Sequence, residues 1–300
     1  MDLTGSSMEH AHAWELSGGM TNEDTVLVTG GTGKTGRRIA ARLRAGGVPT
    51  RTAARHHADV AFDWHDPATH DAALAGAVAV YLVAPALRLD FAPTVAAFLD
   101  RAEVAGVRHV TWLSARGVDQ LPPEAAARAV ELDLAGRRRL THAVLRPGWF
   151  MQNFHEPLFL PAGGTLVAPS GDGAEAFVHA DDIAEVAAAT LLTPADHDGA
   201  GYTLTGPEAL TFGEVADRIA KASGRPVVHD DVAPEAWLDR LRAAGVPDDY
   251  AQLLGGLLSV LRASGGAATT DDIERVTDHA PRSFDDYATE QEPLAAWTRI

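Results

Sequence analysis

One stretch, Val26-Leu-Val-Thr-Gly30-Gly-Thr-Gly33-Lys-Thr-Gly36-Arg-Arg-Ile39, restricts what this chain can fold into more than any other. An apolar, β-branched run passes through a glycine-rich turn into a segment of helical periodicity, so strand, tight turn and helix follow one another directly. The glycine spacing is G-x-x-G-x-x-G. Glycine at 30 permits the turn, glycine at 33 lets a ligand reach the backbone, and glycine at 36 lets the helix lie close on the strand. Free N–H groups and the positive helix end then face outward, which suits a pyrophosphate. Gly30, Thr32, Gly33, Lys34, Thr35 and Gly36 are therefore the candidate dinucleotide contacts. The embedded Gly33-Lys34-Thr35 does not make a triphosphate-wrapping loop, because that loop needs glycine at position 28, which is valine.

From Thr25 onward, short β-branched runs alternate with Ala/Leu-rich helical segments, the pattern of parallel strands joined by right-handed crossovers. Strands are expected at 25–29, 50–54, 61–62, 79–83, 109–113 and 143–145, most of them apolar at successive positions, as in a sheet covered on both faces. Crossover helices are expected at 37–45, 72–75, 92–105 and 124–134. The fold class that follows is α/β, a Rossmann-like doubly wound parallel sheet with a smaller, mostly helical C-terminal substrate lid over the carboxyl ends of the strands. Residues 25–152 make the dinucleotide-binding domain, and 177–206 return to its sheet through 177–178, a helix at 183–192 and a last strand at 202–205. Residues 153–176, largely a Pro/Gly-rich loop, and 207–300 make the lid, with helices at 212–222, 234–244, 250–261, 271–276 and 283–297. Thr211 with Glu214, and Thr270 with Glu274, read as helix caps. Residues 1–24 are polar, lack the apolar stretch of a signal peptide, and are expected to fray as a tail or added extension outside the fold.

Composition narrows the function classes. With 46% apolar residues in 300, the chain can bury a sizeable core. A net charge of −16, with no Lys/Arg cluster beside aromatic residues, argues against a nucleic-acid partner. The absence of cysteine excludes disulfides and thiolate chemistry and suits a reducing, cytoplasmic setting. Apolar stretches such as 77–85 are strand-sized, far short of the roughly 20 residues that cross a bilayer, so no membrane partner is expected. The histidines lack ligand spacing, so no metal is expected, and His179-Ala-Asp181-Asp182 reads as a helix start.

The end of the second strand selects the cofactor. NAD is ordinarily held there by a carboxylate that accepts hydrogen bonds from the ribose hydroxyls. Here the strand runs out in Ala53-Ala54-Arg55-His56-His57. A cation suits a 2′-phosphate, so Arg55 favours NADPH, with NADH the less favoured coenzyme. Asp63 and Trp64 follow the third strand and border the adenine, or the tryptophan belongs to the core; both readings stay open.

Together with that turn, Phe62-Asp-Trp64, Ala79-Val-Tyr-Leu-Val-Ala-Pro85, Leu113-Ser-Ala115, Leu145-Arg-Pro-Gly-Trp-Phe-Met-Gln-Asn-Phe154, Ser170-Gly-Asp-Gly173, Phe177-Val-His-Ala-Asp-Asp-Ile-Ala184 and Ala280-Pro-Arg-Ser-Phe284 give the chain a resemblance. It resembles the NmrA-like, atypical short-chain dehydrogenase/reductase family, and within it the ergot-alkaloid reductases and their bacterial relatives. The resemblance implies a cofactor lying over 30–36, Arg55, Ala84, Pro85 and Ser114, with its nicotinamide near Pro147 and the residues just after it. It also implies hydride transfer to an iminium or conjugated carbon.

Ordinary short-chain dehydrogenases carry Tyr-x-x-x-Lys on the helix after the fifth strand. Counted from Ser114, that helix reads Ala127-Arg-Ala-Val-Glu131, with neither residue. Ser114, Tyr81 and His155 are the candidate catalytic groups, each with a structural alternative as cap, core or loop residue. Trp149, Phe150, Asn153 and Phe154 are candidate walls of a hydrophobic substrate pocket. The expected function is NADPH-dependent reduction of an iminium, enone or related electrophile of a small or polycyclic hydrophobic substrate, in secondary metabolism, by a monomer or homodimer. Two alternatives stay open: a non-catalytic dinucleotide sensor, and a non-redox isomerase or cyclase that retains NADP(H).

Overall fold

The computed structural model describes residues 24–299; the expected N-terminal tail, apart from Asp24, lies outside that range. In chain order the first elements are β1 (Thr25–Thr29), α1 (Lys34–Ala45), β2 (Thr50–Ala54), β3 (Val60–Ala61), α2 (Ala68–Leu74), β4 (Ala77–Val83), α3 (Ala92–Ala105), β5 (His109–Leu113), α4 (Ala126–Gly136) and β6 (Thr141–Pro147). The chain then forms β7 (Thr165–Val167) and β8 (Ala174–Glu175) before α5 (Ala180–Leu192) and β9 (Ala200–Leu204). After these come β10 (Leu210–Thr211), α6 (Phe212–Ser223), β11 (Val228–Asp230), α7 (Pro234–Ala243), α8 (Asp248–Arg262), α9 (Asp272–Thr277), α10 (Phe284–Ala288) and α11 (Gln291–Trp297).

Seven strands make the main sheet, in the order β3-β2-β1-β4-β5-β6-β9. All pairings among β1 to β6 are parallel, with Val26 opposite Thr50 and Val28 opposite Tyr81. This is the doubly wound α/β sheet expected. Strand order reverses between β1 and β4, and open sheets of this kind bind ligands at the carboxyl ends beside such a reversal. Where helices cover both faces a strand is buried along its length, and β1 buries every residue from Val26 to Thr29.

The chain divides into two compact units. One contains the residues up to Pro85, Asp90–Arg146 and Ile183–Tyr202; its core gathers Leu27, Val80, Leu82, Phe98, Trp112 and Val144. The other contains Ala86–Leu89, Pro147–Asp182 and Thr203 onward; its core gathers Phe154, Phe159, Phe177, Phe212, Trp237, Phe284 and Trp297. Among the described residues no helix is long and apolar enough to cross a membrane.

Several local expectations need correction. Phe177-Val178 makes only an isolated bridge, Val178 to Phe150, because α5 begins at Ala180 and leaves no length for a strand. Thr270 does not cap a helix: its hydroxyl donates to the Thr203 carbonyl, and Asp271 occupies the cap position of α9 without a side-chain bond to the free amides of its first turn. The single helix expected over 283–297 is two, α10 and α11, separated by extended backbone at Glu290. Pro293, lacking an N–H, is accommodated in the first turn of α11, where amides have no helical acceptor. The segment 153–176, expected to be largely loop, contains β7 and β8, which pair with β11 and β10. The capping box at Thr211 and Glu214 forms as read, with the Thr211 amide donating to Glu214 Oε2 at 2.8 Å.

His109, at the start of β5, is 1% exposed and lies between Thr141 Oγ1 at 2.9 Å and Thr111 Oγ1 at 3.2 Å. Burial pushes its pKa down from 6.5 to about 3, the Asp198 charge opposing and His142 and His197 reinforcing the shift. The unfolded chain therefore takes up this proton at higher pH than the folded one. The contribution to stability is complete above pH 6.5 and is lost as pH falls toward 3. Lowering the pH to 5 is expected to remove about 2 kcal/mol through this residue. Denaturant midpoints at neutral and acid pH check this: His109→Gln should show a shallower acid loss than the wild type, and equal slopes would refute it.

Candidate functional site

The turn after β1 is built to leave backbone amides outward. Gly30 has φ +60°, in the region glycine enters at no steric cost, and a Cβ there would stand 2.7 Å from Val83 Cγ2. A Cβ at Gly36 would run into the Gly30 carbonyl oxygen, with Gly30 C 2.8 Å and Gly31 Cα 2.9 Å away. The Gly33 amide donates to Gly30 O at 2.8 Å, and the Gly31 amide to Ala53 O at 3.1 Å, which ties the turn to the end of β2. The helical ladder of α1 opens with the Arg37 amide on Gly33 O at 3.1 Å. No side chain caps that end and no acidic residue lies in its first turn, so the Thr35 and Gly36 amides and the helix dipole are left for an anion. Thr32 and Gly33 are exposed, Lys34 is half-buried and Thr35 is buried.

Tyr81 lies beneath this turn. It is fully buried, and its hydroxyl donates to Thr35 Oγ1 at 2.9 Å, while Thr29 Oγ1 donates to the Tyr81 carbonyl at 3.0 Å and accepts the Val83 amide at 3.0 Å. Burial raises the Tyr81 pKa above its ordinary value. With no exposed atom, the phenol braces the helix start and reaches no ligand.

Arg55 is the first residue past the carboxyl end of β2; it is exposed and makes no hydrogen bond or ion pair among the described residues. The nearby carboxylate, Asp59, is already engaged: its Oδ2 accepts the Thr52 amide and hydroxyl, both at 2.8 Å, and pairs with Arg44. The Thr52 hydrogen bonds, chiefly the backbone one, and the Arg44 charge hold the Asp59 carboxyl below its usual range. Asp63 Oδ1 accepts the His65 amide at 2.9 Å. Trp64 packs edge-on against Phe62 at 5.0 Å and Phe98 at 5.3 Å. Ala84 is half-buried and Pro85 buried just past β4.

At the end of β5 the structure brings together residues that the sequence reading did not connect. Ser114 Oγ donates to Glu131 Oε1 at 2.7 Å. Glu131 is 3% exposed and also accepts Arg146 Nε at 3.0 Å, Arg146 Nη2 at 2.8 Å and Arg128 Nη1 at 3.0 Å. Burial alone would raise the Glu131 carboxyl, but the hydrogen bonds from Arg146 and Ser114 and the Arg146 charge outweigh it and hold it below its ordinary value. Glu131 is thus ionised at neutral pH.

The remaining candidates lie on the second unit. Pro147 is buried; Phe150 is half-buried; Trp149 packs against Phe159 with ring centres 5.4 Å apart; Asn153 is 7% exposed. Phe154, expected as a pocket wall, is fully buried among Phe159, Phe177, Phe212 and Phe284, because its carbonyl also anchors Trp297 Nε1 at 2.8 Å in the core. His155 Nδ1 shares a hydrogen bond with the buried Tyr287 hydroxyl at 2.7 Å. His179, Asp181 and Glu290 gather closely enough to invite a metal. However, His179 Nδ1 accepts the Asp181 amide at 3.1 Å, so the ring proton sits on Nε2, where a metal would need a lone pair.

Comparison with known proteins agrees with this geometry. Residues 30–194 match a family model described as NAD(P)H-binding. An uncharacterized oxidoreductase of Bacillus subtilis (strain 168) is 35% identical over 288 residues, covering 93% of this chain and 98% of that protein. Agroclavine dehydrogenase of Claviceps fusiformis is 32% identical over 286 residues, covering 89% and 96%. Among solved structures, an NADPH-dependent quinone oxidoreductase of Escherichia coli complexed with NADPH has a similar fold, with TM-score 0.69 and 22% identity over 88% of this chain and 98% of that one. The glycine-rich turn, the amides it leaves for a diphosphate and these relatives converge: the chain belongs to the NAD(P)H-binding family, alongside oxidoreductases.

Proposed function

We propose that this oxidoreductase uses NADPH to reduce an iminium or conjugated, electron-poor carbon of a small or polycyclic hydrophobic substrate. The observation that carries the reading lies at the carboxyl end of β5: α4 has neither tyrosine nor lysine, and the Ser114 proton is already given to an ionised Glu131. Reducing a ketone requires a proton as hydride arrives, whereas an iminium carbon is neutralised by hydride alone and a conjugated carbon gives a delocalised enolate that takes its proton from water afterwards. When bound, the reduced nicotinamide supplies that hydride.

The chain's own part is to hold and orient. The first-turn amides of α1 take the pyrophosphate, Arg55 the 2′-phosphate, and Ser114 an atom of the nicotinamide half, with Asp63, Ala84 and Pro85 bordering the cofactor. Trp149, Phe150 and Asn153 are assigned to the substrate, and the second unit to substrate binding. A relative named as a dehydrogenase supports turnover over sensing.

Mixing the protein with NADPH and a panel of imines, enones, quinones and simple ketones tests the reading. Steady loss of nicotinamide absorbance with imines or enones, and none with simple ketones, is the expected result. Tight binding with no consumption by any member of the panel sinks it in favour of a sensor or isomerase.

A further inference from the structure

The hydrogen bonds around Glu131 leave Ser114 with one kind of valence to offer. Four donors, from Ser114, Arg146 twice and Arg128, converge on the two oxygens of a carboxylate buried in α4. An ionised carboxylate accepts only, so it has no proton to return to Ser114. Turning the Ser114 hydroxyl outward would cost Glu131 a partner inside the protein, where an unmade bond to a charge is expensive. The Ser114 amide is also committed, donating to Leu145 O at 2.8 Å. Yet Ser114 itself is half-exposed, directly past β5 and one strand from the order reversal at β4. The side of Oγ facing away from Glu131 therefore carries lone pairs alone.

We infer that Glu131 is a positioning residue that fixes Ser114 as a hydrogen-bond acceptor, so that the ligand group seated at the end of β5 is a donor, a hydroxyl or N–H, and not a carbonyl or phosphate oxygen. This rests on the dinucleotide reading above, in which the group is a ribose hydroxyl or amide of the nicotinamide half. Electrostatic neutralisation of Arg146 does not by itself account for the arrangement, since a carboxylate paired with two guanidinium groups needs no serine. The serine is oriented by the pair.

Affinity for NADPH, read by titration calorimetry, tests this without turnover. Ser114→Ala and Glu131→Gln are each expected to weaken NADPH about tenfold, the loss of one net hydrogen bond. The double variant is expected to be no weaker than either single one, because Glu131 acts through Ser114. Ser114→Thr, which keeps the hydroxyl, should restore binding. Should Glu131→Gln fail to fold once Arg146 loses its counter-charge, Glu131→Asp keeps the charge, draws the carboxylate back by one methylene, and carries the same expectation. Losses that multiply in the double variant, or a Ser114→Ala protein that binds like the wild type, overturn the inference. A wild-type protein that binds NADPH but reduces nothing removes the reductase reading, and the affinity comparison still decides this one.

Discussion

Gly36→Ala is expected to abolish measurable dinucleotide binding at ordinary coenzyme concentrations, weakening NADPH at least about 100-fold, or roughly 3 kcal/mol. The added methyl meets the Gly30 carbonyl and the Gly31 Cα, which are backbone atoms of the same turn and cannot swing aside as a side chain would. Relief comes only by moving α1 off β1, which scatters the first-turn amides; the overpacking itself costs about 1–3 kcal/mol of stability. Gly256 in α8 is the control, since a methyl there meets nothing within 4 Å. Gly256→Ala should leave binding untouched and stabilise by about 0.5–1 kcal/mol. Calorimetric titration and denaturant unfolding of both variants check the contrast. A Gly36→Ala protein with normal affinity would show that this turn does not hold the phosphates.

The second large effect is expected at Arg55. Arg55→Asp replaces an exposed cation, unpaired among the described residues, with an anion where the 2′-phosphate is assigned. It removes charge-assisted hydrogen bonds worth about 1.5–3 kcal/mol and adds repulsion, so NADPH should weaken on the order of 100-fold or more. NADH has no 2′-phosphate to lose or repel and should change little. Raising ionic strength should narrow the gap, because the site is open to water. Equal weakening of both coenzymes, measured in one buffer, would remove Arg55 from the site.

How much could be read from the chain depends on the length of the signal. β1, β2 and β5 were legible because each is five residues long and carries two or more β-branched residues, enough for strand preference to register. β7, β8, β10 and β11 are two or three residues long, too short for alternation to register, and they pair β7 with β11 and β8 with β10 across chain separations that no local pattern encodes. In the site, the turn was legible because its glycines are required at fixed offsets. The Ser114, Glu131 and Arg146 set was not, because it joins residues 17 and 15 apart across two elements. One signal was present: Glu131 on the apolar face of α4 and Arg146 inside the apolar run of β6 are charges where burial forbids an unpaired one, and their opposite signs point to each other. Tyr81 illustrates the reverse error. A tyrosine near a strand end looks available for proton transfer, yet the side-chain period of β4 turns it into the protein beneath α1.

That buried phenol has a consequence for how the coenzyme arrives. Since Thr29, Tyr81 and Thr35 already hold the start of α1 on the sheet, capture of a diphosphate requires no loop to order itself, a step that would otherwise cost about 1–2 kcal/mol per residue. The cradle is preorganised. Tyr81→Phe would loosen it from below without touching any ligand atom, so the coenzyme would meet a turn sampling several shapes, and the damage would be felt as slower capture by a site whose contacts are all still present.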